Sequence, residues 1–329
     1  MKNKAPNFNL DAKVENLFNN DPKISGMRET LLKKWHDLRK QQLNIMITGA
    51  TGCGKSSTIN ALFNMDSSTE TSDIAKVGVG PNPETTDIVK YELGNMILWD
   101  SPGLGDGKEA DKRHTRNIID KLLKTDNDGN YLIDLVLVIL DGGSRDLGTS
   151  YDLINKVIIP NLGDEKSKRI LVAINQADNA MKGRFWDYEN CRPEPRLVEF
   201  LEAKCKSVRR RIKEGTDVDV EPIYYSAGFK EAGKPQENSY NLAKLLYFIL
   251  KHIPARKRIL AFEHVPQEGK NFTKNDKDTY HKGIGECIAD GIEAIFDGVG
   301  EVVSLVGTAV VDTVDSVVDS VCSFFSWFC

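Results

Sequence analysis

The chain has 329 residues, 40% of them apolar and 28% charged, with a formal net charge of −4 at neutral pH. That length holds one large α/β domain with appendages, or two domains, and the slight acidic excess excludes a basic nucleic-acid-binding surface over the whole molecule. Six cysteines are scattered with no CxxC pair and no His/Cys cluster at zinc spacing, which argues against a structural metal and for a reducing compartment. At the N-terminus, Met1 to Pro6 holds no apolar core of signal-peptide length. No apolar run reaches the roughly 20 residues that span a bilayer, so the expected location is cytoplasmic. Residues 1–42 are polar, with helices expected near Leu10–Phe18 and Ser25–Lys40. In the second, Leu31, Leu32, Trp35 and Leu38 recur at helical spacing, so one face packs on something. Residues 43–254 then alternate strand and helix signals. Strands are expected at 43–48, 86–92, 95–99, 133–140, 169–174 and 220–225, and helices at 55–64, 110–123, 149–159, 195–213 and 240–252. Such alternation gives a mostly parallel sheet covered on both faces. The turn Glu92-Leu93-Gly94-Asn95 makes the second and third strands a hairpin, so one edge strand is antiparallel. Residues 255–282, rich in Lys, Asn, Asp and Gly, read as a polar linker, and 283–329 as a separate tail.

The chemistry-bearing stations sit at strand ends. Gly49, Ala50, Thr51, Gly52, Cys53, Gly54, Lys55 and Ser56 fit the phosphate-loop pattern GxxxxGK[ST], between a buried strand and a helix N-terminus. The glycines, Gly49 and Gly54 foremost, let backbone N–H groups approach phosphate, and the helix dipole adds positive potential. Lys55 would reach the β- and γ-phosphates, the Ser56 hydroxyl would ligate Mg²⁺, and Ser57 follows in the helix. Asp100, at the tip of the third strand, can hold Mg²⁺ through water, and Gly103 can present its N–H to the γ-phosphate; Asp100 to Gly103 also reads as a plain proline turn. A threonine at Thr85-Thr86, with Thr86 favoured, could swing onto Mg²⁺ as a third ligand or simply start a strand. Asn175-Gln176-Ala177-Asp178 follows the fifth strand, and there the base is chosen. The Asp178 carboxylate can accept from N1–H and N2–H₂ of guanine, whereas adenine would strand a buried charge, a difference worth up to ~10⁴-fold. Asn175 would brace the site, and Gln176 stands where a lysine stem commonly covers the purine. Ser226-Ala227-Gly228 follows the last strand and can offer a backbone N–H to guanine O6.

In this order and at this spacing, the five stations resemble the TRAFAC class of GTPases over about residues 44–254. Gly49 to Ser57 and Asp100 to Asp106 are similar to the Era–septin–Toc branch. Leu140 to Asp146 and Asn175 to Asp178 are most similar to bacterial YfjP-like GTPases, which often carry an apolar C-terminal tail. The resemblance implies a P-loop NTPase fold of three α/β/α layers, with a mostly parallel six-stranded sheet and one antiparallel edge strand. With it, 43–254 is expected to be the GTPase domain, flanked by the helical segment 1–42, the polar linker 255–282 and the tail 283–329 that composition marks. GTP and GDP would be the ligands, Mg²⁺ the cofactor, and hydrolysis to GDP and phosphate the reaction.

Leu104 stands where Ras-like enzymes have a water-orienting glutamine and cannot do that work, so turnover would be slow or assisted. The branch resemblance implies a homodimer across the nucleotide face with catalytic help in trans. Arg145 is the candidate arginine, its alternative being an ion pair with Asp141 or Asp146; such an arginine can be worth 10³–10⁵ in rate. Lys55, Thr86, Gly103 and Arg145 thus form the expected catalytic set.

From Gly283 onward there is no Lys or Arg. Val310, Val311, Val314, Val317, Val318 and Val321 recur at three and four, opposite Asp312, Asp315 and Asp319, an amphipathic helix pattern. The tail could lie on a membrane surface, pack on the protein itself, or self-associate through Gly291, Gly298 and Gly307. On Arg196–Lys213, Leu197, Leu201, Cys205, Val208 and Ile212 form a core face, and Lys204, Lys206, Arg209, Arg210, Arg211 and Lys213 either a solvated face or a contact for ribosomal RNA or phospholipid. Cys53 reads as redox-inert, and the five histidines form no constellation. The expected role is a GTP-hydrolysing switch that dimerises, either free in the cytoplasm or peripheral to the inner face of a membrane through 283–329. The alternatives are a ribosome- or RNA-associated assembly GTPase and a nucleotide-gated scaffold with negligible hydrolysis.

Overall fold

A computed structural model of the chain describes residues 10–20, 25–63, 87–105, 107–126, 128–229, 237–265 and 272–296. Two helices come first, α1 (Leu10–Asn20) and α2 (Arg28–Arg39). The strands β1 (Leu43–Gly49), β2 (Val89–Leu93), β3 (Met96–Asp100), β4 (Leu135–Asp141), β5 (Ile170–Asn175) and a two-residue strand at Ile223–Tyr224 form one sheet. Its order is β2, β3, β1, β4, β5 and 223–224, and every neighbouring pair is parallel except the β2–β3 hairpin. This is the expected α/β fold with one antiparallel edge. Registers such as Ile45 with Leu98 and with Leu135 align the strand ends. That alignment brings Gly49, Asp100, Asp141 and Asn175 to one end of the sheet.

The inner strands are almost wholly buried, as a sheet covered on both faces requires. Alternation along each strand divides the core. Leu135, Leu137 and Ile139 join the cluster under α1, α2, α3 (Lys55–Phe63) and α7 (Leu242–His252). Val136, Val138 and Leu140 join the one under α4 (Lys108–Leu123), α5 (Gly148–Asp152) and α6 (Pro195–Thr216). The helix expected at 149–159 is α5 continued by a π segment at Leu153–Ile158 and a 3₁₀ turn at Ile159–Asn161, where Pro160 ends the regular bonding. A small hairpin, Trp186–Asp187 with Arg192–Pro193, is inserted before α6.

Residues 255–282 differ from the linker expected there. They carry a 3₁₀ turn at Ala255–Lys257, α8 (Arg258–Phe262) and the start of α9 (Thr279–Ile295). The polar composition conceals sparse apolar anchors: Ile259, Leu260, Ala261, Phe272 and Tyr280 are all buried. Helix α9 crosses the 282/283 boundary and buries Ile284, Cys287, Ile288, Ile292 and Ile295 in the core shared with α7. A Cβ on Gly291 would press on the Ala255 carbonyl at 2.9 Å, so this glycine serves packing within the chain. The pattern at 310–321, Gly298 and Gly307 lie outside the described residues.

The N-terminal helices join the same core. Trp35 is fully buried, and the Phe18 and Phe296 rings meet edge-on at 5.6 Å. Arg39 pairs with Asp11 and with Glu263 at 2.6 Å each. Lys257 pairs with buried Asp134 at 2.8 Å, and Asp134 also accepts the Asn44 N–H.

Candidate nucleotide site

Gly49 ends β1 against the Ile139 carbonyl and the Cys53 sulfur, and a Cβ there would collide with both. Gly54, at φ +89, faces the Asn175 amide so closely that a side chain is excluded. Gly52, at φ +79, is required for conformation alone, since nothing lies within 4 Å of its absent Cβ. The loop closes with Cys53 N–H on the Ala50 carbonyl at 3.3 Å, and α3 begins at Lys55. The amides of Lys55 and Ser56 lie in its first turn, ahead of any intrahelical acceptor. Lys55 Nζ lies 3.4 Å from the Gly49 carbonyl and 3.3 Å from that of Ala50. The loop is therefore an amide-lined turn with one ammonium folded over it, an arrangement suited to phosphate.

Asp100, at the end of β3, is fully buried beside this loop. Burial pushes its carboxyl up to about 6, against the pull of Lys55 and the Ser56 hydroxyl. Oδ2 lies 3.5 Å from Ser56 Oγ, and Oδ1 has no partner among the described residues. A buried carboxylate oxygen without a donor, next to a hydroxyl, fits a hard divalent cation that keeps most of its water. Among the described residues no group of three or more His, Cys, Asp or Glu is placed to hold a metal, so any Mg²⁺ here would depend on nucleotide oxygens and water as well. Thr85 and Thr86 lie outside the described residues.

Beyond Asp100 the chain runs against the phosphate loop. A Cβ on Gly103 would collide with Thr51. The Thr51 N–H donates to the Leu104 carbonyl at 3.2 Å. Gly105 N–H reaches Asp111 Oδ1 at 2.9 Å, and His114 Nδ1 lies 3.2 Å from the Gly103 carbonyl. Leu104 itself is buried in the apolar cluster of that face, away from any role on water.

The other end of the site is built on Asn175, which is 2% exposed. Its Nδ2 donates to the Cys53 carbonyl at 3.0 Å, and its Oδ1 accepts the Ala227 N–H at 2.9 Å. One side chain thus ties the phosphate loop to the 226–228 loop. Gln176 adopts φ 58 and donates to the Gly52 carbonyl at 2.8 Å, a second tether. Ser226 Oγ donates to Asp178 Oδ1 at 2.6 Å, which orients a half-buried carboxylate. Behind them the Tyr225 hydroxyl meets Thr58 Oγ1 at 2.6 Å, and Thr58 Oγ1 donates to the Gly54 carbonyl. One expectation changes here. The amides of Ser226, Ala227 and Gly228 already donate to Tyr240 O, Asn175 Oδ1 and Ser226 Oγ, so an O6 contact requires one of them to be shared.

The sheet end thus gathers Gly49 to Ser57, Asp100, Gly103, Asn175, Gln176, Asp178, Ser226 and Ala227 around one region. Arg145 stands on the exposed loop after β4. It makes no ion pair with Asp141 or Asp146, whose carboxylates accept from the Gly143 and Gly148 amides. Two residues escaped the sequence reading. Lys204 belongs to no solvated face: it is half-buried and donates to the Asp141, Gly142 and Ser144 carbonyls at 3.1, 2.6 and 2.8 Å. Burial lowers its pKa, partly opposed by Asp141. Its position between Leu201 and Val208, on the flank of the apolar stripe, was the available signal. His114 shares the spacing of Ile118 and Leu122 along α4, which marks it as inward-facing.

A family model described as "50S ribosome-binding GTPase" matches residues 44–176, less than half of the chain. Interferon-gamma-inducible GTPase 10 of Mus musculus is 44% identical over 73 residues, which is 21% of this chain and 16% of that protein. Among solved structures, a probable GTP-binding protein engB is 20% identical, with 64% of this chain and 98% of that one covered and a TM-score of 0.34. Toc33 from Arabidopsis thaliana with Mg²⁺ and GMPPNP is 16% identical, with 76% and 96% covered and a TM-score of 0.41. Strand order and phosphate-loop sequence give the sheet an α/β P-loop fold, and its residues 44–176 are similar to the GTPase family model.

Proposed function

We propose that the protein binds GTP and GDP with Mg²⁺ at this sheet end and hydrolyses GTP to GDP and phosphate as a slow, dimerisation-dependent switch. The observation that carries this reading is the Asn175 bridge, which ties the loop at 49–56 to the 226–228 loop, where Ser226 Oγ donates to Asp178. Gly49 to Ser57 would cradle the phosphates, Lys55 would hold the charge on the β- and γ-phosphates, and Asp178 would accept from guanine N1–H and N2–H₂. Asn175, Gln176, Ser226 and Ala227 would complete the base pocket. Ser56, Asp100 and Thr86 would hold Mg²⁺, which when bound neutralises charge on the phosphate oxygens. Thr86 and the Gly103 amide would respond to the γ-phosphate. Residues 43–254 are the proposed GTPase domain, with 1–42 as a helical segment that shares its core.

Catalytic completion would come from a second copy through Arg145. The exposure of Arg145 and the Lys204 cradle under its loop support this. Turnover per subunit would then rise with protein concentration, and Arg145→Ala would flatten that rise; an unaltered rise in the variant removes the trans role. Among the described residues no helix is long and apolar enough to cross a membrane. A membrane-surface role for 283–329 is proposed only for its part beyond residue 296, and liposome flotation with and without that part tests it.

A ribosome- or RNA-associated role is the second reading, favoured by the description of the matching family. The α6 charges speak against it. Arg209 and Lys213 pair with Asp219, Arg210 with Glu214, and Arg211 covers the Tyr151 ring. Salt-sensitive co-sedimentation with ribosomes would restore it.

A further inference from the structure

We infer that His114 is a positioning residue that couples the loop at Gly103 to helix α4. The inference rests on the reading above, in which the Gly103 amide answers to the γ-phosphate. His114 stands mid-way along α4, 3% exposed, on the face that also buries Ile118 and Leu122. An apolar side chain would fill that place at lower cost, because a buried imidazole needs partners for two ring nitrogens. His114 finds one among the described residues. Nδ1 lies 3.2 Å from the Gly103 carbonyl, and a carbonyl oxygen only accepts, so Nδ1 carries the hydrogen. Nε2 is then an acceptor in the neutral ring and a donor in the charged one, and in either form meets no partner among the described residues.

The surrounding contacts show what the imidazole holds. Three consecutive loop residues are each fixed by one hydrogen bond. His114 holds the Gly103 carbonyl, the Thr51 N–H holds the Leu104 carbonyl at 3.2 Å, and Asp111 holds the Gly105 N–H at 2.9 Å. Asp111 and His114 are three apart and share a helix face. The loop is therefore strung between the phosphate loop and α4. Gly103 lies too close to Thr51 for a side chain, so it cannot advance toward the phosphate loop. Its remaining freedom is rotation about its own Cα. By holding the carbonyl, His114 limits that rotation, and with it the direction of the amide on the other side of the same carbon.

The test uses the full chain with Mg²⁺ and compares the affinities for GDP and a non-hydrolysable GTP analogue, alongside thermal melting. His114→Asn keeps an N–H close to the Nδ1 position and drops the unmatched nitrogen. His114→Phe keeps the ring volume and drops both nitrogens. The ratio of analogue to GDP affinity is expected to fall about tenfold in the phenylalanine variant, the worth of one hydrogen bond. In the asparagine variant it stays within about threefold of the unaltered protein. Should the phenylalanine variant not fold, His114→Gln, whose amide sits at the Nε2 position, must lose the ratio while His114→Asn retains it. A purely space-filling role predicts the reverse order, with phenylalanine normal and asparagine impaired in step with its melting temperature, and that result overturns the inference. Equal binding of both nucleotides by the unaltered protein overturns the γ-phosphate reading and the inference with it; discrimination that survives both His114→Phe and His114→Gln overturns the inference alone.

Discussion

Replacing Asn175 with alanine removes both ends of the bridge between the phosphate loop and the 226–228 loop. The side chain is 2% exposed, its Nδ2 serves the Cys53 carbonyl at 3.0 Å, and its Oδ1 serves the Ala227 N–H at 2.9 Å. Water has poor access there, so both partners would be left buried and unmatched. At about 1–2 kcal/mol for each orphaned group, the substitution costs about 2–4 kcal/mol, shared between folding and binding. If the whole cost falls on binding, GDP affinity drops by about 30- to 1,000-fold. Asn175→Asp separates the two contacts, because it keeps the acceptor for Ala227 and turns a carboxylate toward the Cys53 carbonyl. It should be no better than alanine for GDP. Equilibrium titration with a fluorescent GDP, together with melting curves with and without GDP, measures both shares. Binding within about threefold of normal at an unchanged melting temperature would refute the bridge as the element that sets the site's dimensions.

Other outcomes follow from the same geometry. Asp178→Asn exchanges a double acceptor for a donor and an acceptor, so GTP affinity should fall by about 100-fold or more while xanthosine triphosphate gains; competition binding with the two nucleotides measures it. Lys204→Ala removes the donor that three carbonyls of the 141–144 loop share and should lower stability by about 2 kcal/mol. Lys204→Met keeps the buried stem and should lose nearly as much in chemical denaturation. Burial pushes the Cys53 thiol up, with Lys55 only partly opposing, and Cys205 up to about 12. Both should resist iodoacetamide in the native protein at neutral pH and react on unfolding, read by peptide mass spectrometry.

Much of this was legible beforehand because it depends on short-range rules. Phosphate-loop spacing, strand-to-helix alternation and the Gly94 turn determine the sheet and the end at which chemistry collects. The last strand is shorter than the 220–225 its sequence suggests: only Ile223 and Tyr224 pair, because Pro222 brings no N–H to the ladder. The 255–282 stretch misled for a compositional reason. Its anchors, Ile259, Leu260, Phe272 and Tyr280, are few among charges, and their burial depends on partners far away in sequence. Lys204 and His114 were hidden differently. Each is polar on or beside an apolar face, and its purpose is a backbone carbonyl in another element, which no local pattern discloses.

The central claim is that one pocket grips phosphate through the loop at 49–56 and guanine through Asp178. It is tested most directly by titrating the purified full chain with GTP and ATP in the presence of Mg²⁺. The account predicts GTP binding tighter than ATP by about 100-fold or more. Equal affinity for the two, or binding of neither, would contradict it.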